Sequence, residues 1–208
     1  MKSNLKFFKK KKSLPVDKFL QNVLYDKKFG YYSSQVPFGE KGDFITAPTI
    51  SNLFSELISI WIISTWEKFG KPEKINIVEL GPGDGSLIKI LLDISKKFPE
   101  FNSAKNIFLY ETSDNLKKIQ KSNINNNKIK WIKNFQNLDD APVIFFGNEF
   151  FDAIPIKQFK RIKKKLYEKN YSLNENYEIK EILRKANKQD LKNIQSFKVL
   201  KNLQFIEF

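Results

Sequence analysis

Two periodicities divide the chain. Through its first third apolar residues recur at helical spacing: Val16, Phe19, Leu20, Val23 and Leu24 follow Pro15 and predict a short amphipathic helix. Ile50 to Phe69 is strongly apolar and predicts a buried helix stopped by Gly70 and Pro72. From Lys74 the pattern changes to short apolar runs separated by helical stretches, which marks parallel β-α-β units. Ile75 to Leu80, Ile107 to Tyr110, Ile129 to Ile132 and Val143 to Phe146 are the expected strands. Between them Ser86 is expected to cap a helix with Leu87, Leu91, Ile94 and Phe98 on one face, closed by Pro99. Leu116 to Lys121 predicts a turn or two of helix. Beyond Pro155 the pattern weakens; Gln158 to Leu173 with Tyr177 to Ile179 fits a hairpin, and Ile182 to Phe208 has no readable period. The expected class is α/β, a half-sheet of Rossmann-like type behind an N-terminal helical segment.

Composition narrows the chemistry. The 208 residues allow one domain with a sizeable core, or one domain with a smaller cap. With no cysteine and no histidine, disulfides, Cys/His zinc sites, thiol nucleophiles and a Ser-His-Asp triad are excluded, and no metal is expected. Catalysis has to rest on carboxylates, backbone amides or a cofactor. Leu57 to Trp66 is too short to span a bilayer, and the N-terminus, with Lys9 to Lys12, lacks the apolar stretch of a secretory signal. The expected location is the bacterial cytoplasm, or the mitochondrial matrix for a eukaryotic source. A net charge of +14 invites a nucleic-acid partner. Lysine filling solvated positions is the simpler account, so nucleic acid is kept as the lesser reading. The run Lys160 to Lys165 reads the same way: an exposed strand face whose charges discourage edge pairing, with a phosphate-binding stripe as the alternative.

The turn Gly81-Pro82-Gly83-Asp84-Gly85 follows an apolar strand and opens a helix, where a nucleotide-like ligand sits in this architecture. Glycines there permit a sharp turn and close approach of backbone to ligand. The spacing departs from the dinucleotide pattern, since the third glycine comes one residue early and Ser86 takes its place. Glu79 before the turn and Asp84 within it would repel a pyrophosphate and favour the cationic ammonium and sulfonium of S-adenosylmethionine. Glu111, at the end of the second strand, stands where an acid accepts from ribose hydroxyls; a cap for the following helix is its other reading. After the fourth strand, Asn148, Glu149 and Asp152 offer an amide and two carboxylates among aromatic residues, a plausible acceptor site. Carboxylates there can grip a guanidinium fork, or merely cap the next helix.

These segments resemble the MidA-like methyltransferases, a family that includes a mitochondrial assembly factor which methylates an arginine of a respiratory complex I subunit. The matching stretches are Phe29-Gly30-Tyr31-Tyr32, Gly42-Asp43-Phe44-Ile45-Thr46-Ala47-Pro48, Phe54-Ser55-Glu56-Leu57, Val78 to Gly85, Tyr110-Glu111-Thr112-Ser113 and Asn148 to Phe159. The glycine turn alone is generic; its combination with the Gly42 and Asn148 segments is specific. The resemblance implies a class I methyltransferase fold using S-adenosyl-L-methionine and a protein arginine acceptor linked to complex I assembly. The implied cofactor-binding residues are Asp43, Thr46, Pro48, Glu79, Gly81, Gly83, Asp84, Gly85, Glu111 and Asn148, with Glu149 and Asp152 at the reacting centre. It divides the chain into a helical segment with a cofactor-covering loop (1–72), a core (73–159) and the start of an acceptor-side region (160–208). Family members continue to a strand ending in Asp-Tyr-Gly, which is missing here, so a C-terminally truncated sheet is expected. An RNA methyltransferase and a non-catalytic assembly module are the competing readings. The first lacks an Asn-Pro-Pro-Tyr loop and is disfavoured by Glu149 and Asp152; the second is favoured by the missing strands.

Overall fold

The computed structural model describes Phe8, residues 13–34 and 51–197, Leu200 and residues 203–208. Pro15 closes β1 (Ser13–Pro15) with φ at −55° and leads directly into α1 (Val16–Tyr25), since the proline ring presets a near-helical φ. A single turn, α2 (Tyr31–Ser34), follows. The hydroxyl of Ser51 accepts from the Leu53 N–H and starts α3 (Asn52–Lys68), which stops at Gly70 with φ 84°. One face of α3 buries Ser55, Ser59, Ile62, Ile63 and Trp66, while Leu53, Leu57, Ile60 and Trp61 are exposed. The expected buried helix is therefore buried on one side only, among the described residues.

β2 (Ile75–Leu80) has all six residues buried. It is followed by α4 (Ser86–Ser95), α5 (Pro99–Ala104), β3 (Lys105–Tyr110), α6 (Asp114–Ile124), β4 (Lys130–Ile132) and β5 (Val143–Phe146). These strands form a parallel sheet in the order β4-β3-β2-β5. The chain moves outward from β2 to β3 and β4, then returns to the far side of β2 with β5. β2 thus ends at a topological switch point, the crevice in which open α/β sheets bind ligands. Strand alternation splits the core. Ile75, Ile77, Ile107, Leu109 and Ile144 pack on one face with Ile62, Trp66, Leu91 and Phe101; Val78, Leu80, Phe108 and Ile132 pack on the other. At roughly 25 cal/mol per Å² of apolar surface removed from water, this two-sided burial is the main force holding β2 in place.

Residues 1–34 and 154–208 form one compact unit and residues 35–153 another. The first holds β6 (Gln158–Ile162), β7 (Lys165–Leu173), β8 (Ile179–Lys185), α7 (Lys188–Ser196) and β9 (Phe205–Glu207). β7 pairs antiparallel with β8 along one edge and with β6 and β1 along the other, and β9 adds outside β6. The expected hairpin is present as β6 and β7, extended by β8. The basic run is divided: Lys160 to Ile162 lie in β6, while Lys163 and Lys164, with φ of 46° and 64°, make the two-residue turn into β7. β6 is paired on both sides, so Lys160 and Arg161 do not guard an edge. Phe159, Leu166, Ile194 and Ile206 fill this unit's core.

Candidate functional site

Parallel register brings three loops to one edge of the β2 sheet. Leu80 pairs with Tyr110 and Glu79 with Phe146, so the residues after each strand, Gly81, Glu111 and Gly147, emerge at about the same level. Nine of the twelve sequence-predicted site residues lie on these loops or at the strand end feeding them. Asp43, Thr46 and Pro48 lie outside the described residues.

The glycine turn has a strained backbone that only glycine adopts at little cost: φ is 63° at Gly81, 56° at Gly83 and 87° at Gly85. Its first amide, at Gly81, donates to the Tyr110 carbonyl at 3.1 Å, and Gly85 N–H closes the turn on the Pro82 carbonyl at 2.8 Å. Helix α4 is capped by Gly85 rather than by Ser86, which is the first helical residue. Asp84 does the capping work, since its Oδ1 accepts from Ser86 N–H at 3.0 Å and from the Ser86 hydroxyl at 2.7 Å. Glu79 is only 3% exposed, on the same face of β2 as Ile75 and Ile77. Its Oε2 is buried without a hydrogen-bond partner among the described residues. Burial, and then the charge of Asp84, push its carboxyl up to about 8.

Glu111 is also buried, with two bonds accepted by one oxygen and one by the other, which keeps a free acceptor site. Oε1 accepts from the amides of Thr112 and Ser113, each at 2.7 Å, while Oε2 accepts from Gln120 at 3.1 Å. The cap of α6 is Ser113, whose hydroxyl accepts from Leu116 N–H. The cap reading of Glu111 is met only in part: Oε1 orders the turn ahead of α6, whose cap is Ser113, and Oε2 faces Gln120. Gln120 was not singled out from sequence, yet it is completely buried and also donates to the Gly83 carbonyl at 2.8 Å. The available signal was its place between Leu116 and Ile124, a polar residue in an apolar i, i+4 stripe.

The third loop is shaped by close packing. A Cβ on Gly147 would stand 2.9 Å from the Leu80 carbonyl and 3.1 Å from Phe150 Cβ. Glu149 takes φ 51°, and Asp152 sits in a single 3-10 turn, Phe151–Ala153. Both carboxylates are exposed, and Asn148 is half-buried. Gln120 bridges the second loop's Glu111 to the glycine turn, whereas the acids of the third loop accept no hydrogen bond from that turn among the described residues.

The residues of the first two loops fit an adenosine bearing a cationic amino acid. Glu79, Asp84 and Glu111 bring three carboxyl groups to the turn; burial holds Glu79 protonated near neutral pH because ionising it there is costly, and a cation relieves that cost. A pyrophosphate would raise that cost.

A family model described as "Putative S-adenosyl-L-methionine-dependent methyltransferase" matches residues 57–204. The chain is 30% identical over 177 residues to the Drosophila melanogaster protein named protein arginine methyltransferase NDUFAF7 homolog, mitochondrial, a match covering 74% of this chain and 40% of that one. It is 33% identical over 175 residues to the Homo sapiens protein named protein arginine methyltransferase NDUFAF7, mitochondrial, covering 71% and 39%. The chain spans about two-fifths of the length of these curated relatives. A crystal structure of a Burkholderia thailandensis protein bound to S-adenosyl-homocysteine is similar with a TM-score of 0.72 at 20% identity, covering 89% of this chain and 49% of that one. That likeness is one of fold.

Proposed function

Because the chain belongs to the S-adenosyl-L-methionine-dependent methyltransferase family, we propose that it binds this cofactor at the β2 switch point and takes part in methylating a protein arginine during assembly of respiratory complex I. The observation carrying the proposal is the buried Oε2 of Glu79, unpartnered among the described residues, beside a glycine turn with three positive φ values. Glu79 and Asp84 would hold the cationic amino-acid end, Glu111 the ribose hydroxyls, and the Gly81 to Gly85 backbone would let the ligand approach. The cofactor supplies the methyl group and the leaving group, so the protein's task is positioning. A protonated guanidinium is a planar fork that carboxylates hold in fixed orientation. Glu149 and Asp152, exposed on the third loop at the same sheet edge, are suited to that grip. The arginine acceptor is further supported by the names of the relatives.

Calorimetry of the intact chain with S-adenosyl-L-methionine tests the first half: binding in the micromolar range is expected, and none at far higher concentration overturns it. Mass spectrometry of an arginine-bearing complex I subunit incubated with chain and cofactor tests the second. Glu149→Gln should leave cofactor affinity within about twofold and abolish the methyl mass increment. Equal methylation by this variant would remove Glu149 from the role.

A further inference from the structure

Gln120 joins three separate pieces of the cofactor end of the sheet. It lies in the middle of α6 with its side chain completely buried. Its Nε2 donates to Glu111 Oε2 at 3.1 Å and to the Gly83 carbonyl at 2.8 Å, and its Oε1 accepts from the Trp131 indole N–H at 2.9 Å. The orientation of the amide follows from chemistry. An indole N–H only donates, whereas a carbonyl and a carboxylate only accept, so the oxygen must face Trp131 and the nitrogen must face Gly83 and Glu111. Both Nε2 protons and the oxygen are thereby engaged, and the amide cannot turn over without leaving buried groups unpaired. Asn123, one turn along the same helix, adds a donation to the Asp84 carbonyl at 3.0 Å.

We propose that Gln120 is a positioning residue for the cofactor, locking the Glu111 carboxylate and the glycine turn into one frame so that Glu111 is held ready for the ribose hydroxyls. The proposal rests on reading this edge as the cofactor site. Glu111 is fixed from two directions: its own loop amides hold Oε1, and Gln120 holds Oε2. Burial pushes the Glu111 carboxyl up, and the donations from Ser113, Gln120 and Thr112 oppose that push, so Gln120 also favours the ionised, accepting form. Because the same Nε2 reaches Gly83, a shift of α6 would move acid and turn together. A glutamate at 120 would place acceptors against a carbonyl and a carboxylate, and a methionine would offer neither proton.

The test is calorimetry of the intact chain with S-adenosyl-homocysteine and with its 2′-deoxy analogue. The unaltered chain is expected to prefer the ribose form by about tenfold, the worth of one hydrogen bond to a charged group. Gln120→Met is expected to bring that preference within about twofold, as is Glu111→Gln. Trp131→Phe, which removes only the anchor on Oε1 and keeps both donations, should give an intermediate preference and serves where the methionine variant does not fold. Purely structural roles would lower both affinities together and leave the ratio unchanged. An unchanged ratio in Gln120→Met, or in Trp131→Phe where the former does not fold, therefore overturns the proposal. Failure of the unaltered chain to bind either compound overturns the cofactor-site reading itself. Equal binding of both by the unaltered chain removes the ribose role of Glu111 while leaving that reading standing.

Discussion

The ring of Phe150 covers Gly81 so closely that its Cδ2 lies 2.6 Å from where a Cβ on that glycine would stand. The loop after β5 thus touches the turn after β2 through a contact that only glycine accommodates, with φ of 63° adding a second reason. Gly81→Ala should lower stability by about 2 kcal/mol, of which about 1 kcal/mol reflects the left-handed backbone. The remainder is displacement of Phe150, so the same substitution should cost about 1 kcal/mol less in a Phe150→Ala background. Urea unfolding of the four chains in a double-mutant cycle checks this. Equal cost in both backgrounds would show that the ring gives way freely.

Glu79 makes stability depend on pH in a direction fixed by its environment. Burial raises its carboxyl from an ordinary 4.5 to about 8. Between those values the folded chain keeps a proton that the unfolded chain has released, so stability falls as pH rises through this interval and levels off above about 8. Relative to Glu79→Gln, which cannot titrate, the loss should approach about 1.4 kcal/mol per pH unit near the middle of the window. Urea midpoints of the two proteins at pH 5.5, 6.5 and 7.5 measure it, and parallel curves would place Glu79 in water.

A cation held against Glu79 should reverse that proton's fate. Binding of S-adenosyl-L-methionine at pH 7 is then expected to release close to one proton, and affinity should rise with pH until about 8. Calorimetry in phosphate and in Tris, whose ionisation enthalpies differ, counts the protons. The same count for Glu79→Gln would assign the release to another group.

What could be read from sequence follows from which forces are local. β2 and β5 were legible to the residue because a short apolar run between polar residues leaves no other pairing. The place of Glu79, Asp84 and Glu111 at one edge of the sheet is legible because each stands at or just after the end of an apolar run that becomes a parallel strand. Helix α5 is not legible because a proline after Phe98 signals a helix end, whereas Pro99 occupies the first position of a new helix. The length of α6 was underestimated, since its inward face includes Gln120, whose burial is satisfied only by partners on Gly83, Glu111 and Trp131. The pattern points to Ser86 as the cap, whereas the positive φ of Gly85 and the Asp84 side chain provide it. Each miss turns on a contact between residues far apart in the chain or on a backbone angle that composition does not reveal. Pairing of β1 with β7, across more than 150 residues, is the extreme case of the first kind.

Lys157 is the clearest electrostatic keystone of the other compact unit. Its Nζ lies 2.8 Å from Asp190 Oδ1, 2.9 Å from Asp190 Oδ2 and 3.5 Å from Glu168 Oε1, with Asp17 also close enough to act on its charge. Asp190 and Glu168 are both buried, and burial pushes the Glu168 carboxyl up, which means that ionised carboxylates here are tolerated because of the ammonium. Lys157→Met keeps the length of the side chain and removes the charge. It should destabilise the protein at pH 7 by about 3 to 5 kcal/mol, the cost of leaving buried charge without its partner. Lowering the pH protonates Glu168, whose folded value is already raised by burial, so the gap between the two proteins should narrow as the solution is made acidic. Adding Asp190→Asn to the methionine variant should recover part of the loss at pH 7, because one of the uncompensated charges is gone while the Asn187 cap of α7 persists. Urea unfolding at pH 4.5 and 7 separates the possibilities: a gap that is constant with pH would mean that Lys157 contributes through packing of its alkyl chain rather than through charge.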